Sequence, residues 1–199
     1  MPIMRRIITG IAVSILLVLT IVPSARGTSI AKVRVSDLFR QADIVATVRV
    51  LSGDSEHYPV TVYKAEVEEA FKGTAAREII YFGPFVSFGV GSEYLVFLSK
   101  AEKGIEPKDK PSGFNYGVLP LFFRIMYDGF SIMPIEYACV FEGKDVAQQC
   151  DDAVKLNPEQ VILPATIKAF PRGEAGTLTN YEKWVRRKEL VVFLEQAAK

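Results

Sequence analysis

Histidine is almost missing from this chain, and so are the residue patterns that usually mark catalysis. His57 is the single histidine, and no G-x-S-x-G motif occurs in the sequence. A serine-type triad needs a matched histidine, nucleophile and carboxylate, and a zinc site needs several histidine, cysteine or carboxylate ligands in a tight set. The sequence therefore predicts a protein that is not an enzyme and that carries no metal and no cofactor. The alternative is an envelope hydrolase that uses His57 or a loop carboxylate as its base.

A net charge of one sign is missing as well. The chain has 24 basic and 23 acidic residues, a formal net charge of +1. Removal of residues 1–27 takes away Arg5, Arg6 and Arg26 and leaves a net charge of −2. A protein this close to neutrality has no large field to attract nucleic acid or an anionic membrane. We therefore expect no nucleic-acid partner.

The first 27 residues have the sequence of segments that is typical of a secretory signal peptide. Two arginines, Arg5 and Arg6, precede an uncharged and largely apolar run, Ile7–Val22, and a small-residue exit, Ala25-Arg26-Gly27, follows. The run has 16 residues, whereas a membrane-spanning helix needs about 20. The pattern predicts a signal peptide over residues 1–27, with cleavage after Ala25 as the alternative, and a secreted or periplasmic protein. A membrane-associated scaffold held by an uncleaved leader is the other interpretation.

Cysteine is limited to Cys139 and Cys150, which have ten residues between them. In an exported chain two cysteines at this distance predict a single intramolecular disulfide. The alternative, a redox pair, usually has the C-x-x-C spacing, which is absent. Such a bond closing a short loop could stabilise the fold by about 3 kcal/mol.

Alternating apolar and polar residues predict a protein built mainly of antiparallel strands. A short helical turn over Ser36–Ala42, with Ser36 as its N-cap, precedes the first strand. Asp128-Gly129 is typical of a two-residue hairpin turn. Thr179–Glu182 forms a capping box that predicts a helix from about Asn180 to Ala197. The predicted strands are Asp43–Leu51, Val60–Phe71, Ile79–Phe82, Glu93–Ser99, Leu119–Tyr127 and Ser131–Phe141.

Six strands at hairpin spacing and a late helix predict a small antiparallel OB-like barrel with a C-terminal α-helix packed on it. We expect residues 28–150 to form the barrel domain. Residues 151–199 are expected to form a C-terminal extension within the same globule.

Two surface features bear on function. Phe82, Phe85 and Phe88 lie in a Gly-rich loop and could form an exposed apolar patch that binds a partner or a sugar. The other interpretation, which the composition favours, is that they cap the open end of the barrel. The basic stretch Lys183–Lys188 surrounds Trp184. It could meet a membrane or a polyanion, but nearby glutamates favour a solvated helix face with Trp184 in the core.

One part of the sequence resembles a known family. The stretches Ala42-Asp43-Ile44-Val45, Val67–Gly73 and Val90–Leu98 are similar to the netrin-like domain of tissue inhibitors of metalloproteinases and their bacterial relatives, over about residues 36–100. The resemblance implies an OB-type barrel. The eukaryotic inhibitors chelate zinc through an N-terminal cysteine, whereas the first cysteine here is Cys139. We therefore expect the fold without protease inhibition of that kind.

Together these observations predict an exported, non-enzymatic binding protein. Its ligand is not specified by the sequence, and a protein partner that meets the barrel-end loops is the hypothesis. A membrane contact is expected only through an uncleaved leader.

Overall fold

A computed structural model describes residues 32–85, 88–108, 117–140, 149–156, 160–171 and 183–199. All of them belong to one compact unit, Ala31–Lys199. The predicted leader lies outside the described residues. No helix among those residues is long and apolar enough to cross a membrane.

The described residues form two α-helices, one 3₁₀ turn and eleven strands. The helices are α1 (Val35–Gln41) and α2 (Arg187–Ala197), and the 3₁₀ turn is Tyr127–Gly129. The strands are β1 (Val33–Arg34), β2 (Ile44–Asp54), β3 (Val62–Lys72), β4 (Ile79–Gly83), β5 (Glu93–Lys100), β6 (Phe123–Ile125), β7 (Ile132–Val140), β8 (Gln149–Leu156), β9 (Val161–Ile162), β10 (Ala169–Pro171) and β11 (Lys183–Arg186).

Five of these strands close into a barrel. Hydrogen bonding joins them in the order β5-β2-β3-β4-β6, and β6 also pairs with β5, which completes the ring. The pairing of β6 is parallel with β4 and antiparallel with β5. Around the ring the strands therefore follow the order first, second, third, fifth, fourth, which is the Greek-key arrangement of an OB-type barrel. The predicted mainly-β class, the OB-like barrel and the C-terminal helix are confirmed.

The barrel interior is filled by the inward side chains of alternating strand positions. Ile44, Ala46 and Val48 of β2 meet Val96 and Leu98 of β5 in this core. The intervening positions of the same strands, including Val45, Leu95 and Phe97, face a second core outside the barrel. The two central strands are consequently buried on both faces, which explains why they read as nearly continuous apolar runs.

The second core lies between the barrel wall and the two helices. Leu38 of α1 and Leu190 and Leu194 of α2 are fully buried there against the outward side chains of β2 and β5. The sheet extends from β5 through β7, β8, β11 and β10. This extension carries α2, so the C-terminal residues cover one side of the barrel.

The turn at Asp128-Gly129 differs from the prediction. Strands β6 and β7 do not form a hairpin, because both pair with β5: β6 with Leu98–Lys100 and β7 with Glu93–Val96. Strands β6 and β7 are both antiparallel to β5, and they lie along it one after the other, like two segments of a single interrupted strand. The 3₁₀ turn offsets the second segment, so that β6 closes the barrel and β7 begins the extension.

The predicted helix from Asn180 is wrong in its first described residues. Lys183–Arg186 form β11, between β8 and β10, and the helix begins at Arg187. Trp184 and Val185 are buried in the sheet, where aromatic and β-branched side chains pack well. The capping box lies outside the described residues.

Ser36 is not the N-cap of α1, because α1 starts at Val35 and its cap position makes no side-chain hydrogen bond. The boundary expected at residue 150 falls inside β8.

Candidate functional site

The predicted aromatic loop does not form an exposed patch. Phe82 and Phe88 are buried in the barrel core, and the Phe88 ring meets Tyr63 and Tyr94 edge-on, with centroids 4.5 and 4.6 Å apart. Phe85 is half-buried, with its ring centroid 5.2 Å from that of Phe88. The exposure expected for Phe82 and Phe88 is therefore wrong, and these side chains pack within the barrel because aromatic burial outweighs exposure in water.

His57 is held in its loop by Asp54. Its Nδ1 lies 3.0 Å from Asp54 Oδ2, and Asp54 Oδ1 accepts the backbone N–H groups of His57 and Glu56 at 2.9 and 3.0 Å. Burial opposes the charge of Asp54, but these hydrogen bonds together lower the pKa of its carboxyl below the ordinary value. The carbonyl of His57 also accepts the N–H of Lys108 at 2.7 Å. The imidazole and its neighbours thus fix the path of the loop.

Cys139 and Cys150 are direct cross-strand partners in the β7–β8 ladder. Directly opposed Cα atoms in an antiparallel ladder are about 4.5–5.5 Å apart, within the range that a disulfide spans. The side chain of Cys139 lies outside what the structure describes. The disulfide therefore stays a prediction, which this register supports.

These cysteines lie in a projecting arm, defined as Glu136–Val140 and Gln149–Asp152. The ladder between β5 and β7 ends at Ile135, and the ladder between β8 and β11 ends at Ala153. Within the described residues the arm strands therefore pair with each other alone. A two-stranded ribbon is marginal in water, so a cross-link here would stabilise the arm in particular.

Acidic neighbours engage the basic stretch at the start of α2. Arg187 lies 3.1 Å from Glu69 and 3.3 Å from Glu93, and Lys188 lies 3.1 Å from Asp151. The guanidinium of Arg186 lies over the ring of Phe170, 5.3 Å from its centroid. Trp184 is buried, as the favoured interpretation of this stretch expected, but Lys183–Arg186 form a strand and not a helix face. The stretch therefore ties α2 to the sheet.

The ion pairs continue across the barrel wall as one charged network. In β2, Arg49 donates to Glu68 Oε1 at 2.7 Å and to Glu93 Oε1 at 2.5 Å. Arg187 adds a contact of 3.4 Å with Asp152. We call this set the charged network; its members are Arg49, Glu68, Glu69, Glu93, Asp151, Asp152, Arg187 and Lys188.

Both arginines of the network are held firmly in their charged form. Hydrogen bonding to Glu68 and the charge of Glu93 raise the pKa of Arg49 above its ordinary value. Burial opposes the charge of Arg187, but its hydrogen bond to Glu69 and the surrounding carboxylates outweigh that effect and raise its pKa. The neighbouring carboxylates therefore stabilise the charge of both guanidinium groups.

Three exposed apolar residues lie near members of the charged network, and one of them, Tyr137, is in register with Asp152. Arg49, Glu93 and Ile135 are in register across β2, β5 and β7. Two residues further on, toward the C-terminal end of β2 and β7 and just before the start of β5, the corresponding positions are Leu51, Tyr137 and Gly91. We define the apolar rim as Leu51, Val90 and Tyr137; Val90 is 68% exposed and Tyr137 75%.

This margin places exposed apolar side chains near charged ones. Large apolar side chains exposed next to charged ones are the usual composition of a protein-binding surface. Among the residues that the structure describes, no group of three or more histidine, cysteine, aspartate or glutamate side chains could hold a metal ion.

The sequence prediction missed the apolar rim and the charged network. Arg49 was the available signal for the network, because it interrupts an otherwise apolar strand at an outward position. Tyr137 follows Ile135 on the same strand face. However, its exposure depends on where the β5–β7 ladder ends, which local patterns do not reveal.

Comparison with known proteins adds no relative: no protein-family model, no curated protein and no solved structure matches this chain. The resemblance to netrin-like domains therefore stays a prediction, and the functional argument depends on the described surface.

Proposed function

We propose that this chain is an exported, non-enzymatic binding protein whose partner is another protein. The leader sequence supports export to the periplasm or the extracellular medium. The OB-like barrel supplies a rigid frame, and function on such a frame is decided by the surface it presents.

The apolar rim is the observation that carries this proposal. Val90 and Tyr137 are far more exposed than the buried Phe82 and Phe88 of the predicted loop. Tyr137 is in register with Asp152 of the charged network, and Val90 precedes Gly91, whose N–H donates to the carbonyl of Val50 at 2.7 Å. Tyrosine is enriched among residues that dominate protein–protein binding energies, because it buries a large area at little cost in conformational entropy. A margin of this kind favours a protein partner.

The hydrolase alternative has one supporting observation, the contact of 3.0 Å between His57 and Asp54. A carboxylate that orients an imidazole is two thirds of a triad. Assay of the exported protein against a broad hydrolase panel, with His57→Ala as the comparison, decides this point. Turnover that disappears in a folded His57→Ala variant would replace the binding proposal.

Site-specific photo-crosslinking in an exporting host tests the proposal. We expect a photoreactive residue at position 90 or 137 to give one discrete protein adduct. Position 118 is the matched control, because Val118 is also an exposed valine, at 58%, in a different part of the chain. The paired change Val90→Ser and Tyr137→Ser should reduce adduct formation from a further reporter at Leu51 by at least about tenfold.

Equal labelling from positions 90, 118 and 137 would contradict the proposal, because it would show that the rim has no preferred partner.

The intact mass of the exported protein tests the leader in the same preparation. We expect a mass that lacks residues 1–27 or 1–25, whereas a full-length mass would favour the membrane-associated scaffold.

A further inference from the structure

We draw no further inference here: the strongest candidate, the largely apolar groove of about 510 Å³ lined by Ile167 and by Val192 and Phe193 of α2, carries nothing, because nothing in the part of the chain that the structure describes shows what covers it.

Discussion

Replacement of Arg187 by alanine should weaken the attachment of α2 to the barrel. The guanidinium is 20% exposed and contacts Glu69, Glu93 and Asp152 at 3.1, 3.3 and 3.4 Å. Ion pairs of this exposure contribute about 0.5–1 kcal/mol each. Arg187 is also the first residue of α2, where a positive charge opposes the helix dipole by about 0.5 kcal/mol. The net loss expected for Arg187→Ala is therefore about 1.5 kcal/mol.

Urea denaturation measures this loss, and the slope should stay unchanged because the same surface is exposed on unfolding. For a domain of this size we expect the melting temperature to fall by about 3–6 °C. Arg40→Ala is the control, because Arg40 is 75% exposed and pairs only locally with Asp37 at 2.8 Å. Its expected loss is less than about 0.5 kcal/mol.

The outcome that refutes this reasoning is an equal loss from Arg187→Ala and Arg40→Ala. It would mean that the network contributes no more than an exposed surface pair and that the apolar contacts of Leu190 and Leu194 alone hold α2. A double variant, Arg187→Ala with Glu69→Gln, refines the test. Because Glu69 loses its partner in the single variant, the double variant should lose less than the sum of the two single losses.

Two further changes test the fold. Gly73→Ala should lower the free energy of unfolding by about 3 kcal/mol in chemical denaturation. Gly73 has φ +71°, and a Cβ there would collide with the carbonyl oxygen of Asp43. Gly91 has φ +86° but lies in open space, so Gly91→Ala should cost only about 1 kcal/mol; similar costs for the two variants would show that the close approach at Gly73 is unimportant. Reduction of the predicted Cys139–Cys150 bond should lower the free energy of unfolding by up to about 3 kcal/mol, and with it the melting temperature, while the domain stays folded at room temperature. A melting temperature that does not change with reductant would show that no such bond exists.

The barrel strands were predictable because their signal is local. In β2, Ile44, Ala46, Val48 and Val50 alternate inward and are all buried, and β-branched residues in this rhythm favour a strand. Trp184 and Val185 were misassigned for the opposite reason. Four residues of β11 are too few to show a strand period, and the helix that follows supplies a period of its own. Tertiary pairing with β8 and β10 decided their conformation.

The candidate site was less predictable because its parts are distant in sequence. Leu51, Val90 and Tyr137 belong to three separate segments of the chain, and only the pairing of β2 with β5 and of β5 with β7 brings those segments side by side. In contrast, Phe82 and Phe88 attracted attention by composition, and composition does not separate a buried aromatic side chain from an exposed one. Register and burial are properties of the folded chain, so the local sequence singled out the buried Phe82 and Phe88 and not the exposed Val90 of the same loop.

The residues that carry the resemblance to netrin-like domains have structural explanations in this fold. The carboxylate of Asp43 accepts the N–H of Lys100 at 2.6 Å, at the end of β5. The ammonium of Lys72 donates to the carbonyls of Phe39 and Arg40 at 3.0 Å each, and so caps α1. Gly73 lets the next turn approach Asp43.

Asp43, Lys72 and Gly73 therefore each secure a junction of the barrel and lie outside the apolar rim, whereas Val90 of the third stretch belongs to the rim. Selection for the barrel alone would retain an aspartate, a lysine and a glycine at these positions, whatever the protein binds. A family's activity cannot be transferred through residues of this kind. Under the proposed function, the choice of partner would instead depend on Leu51, Val90 and Tyr137.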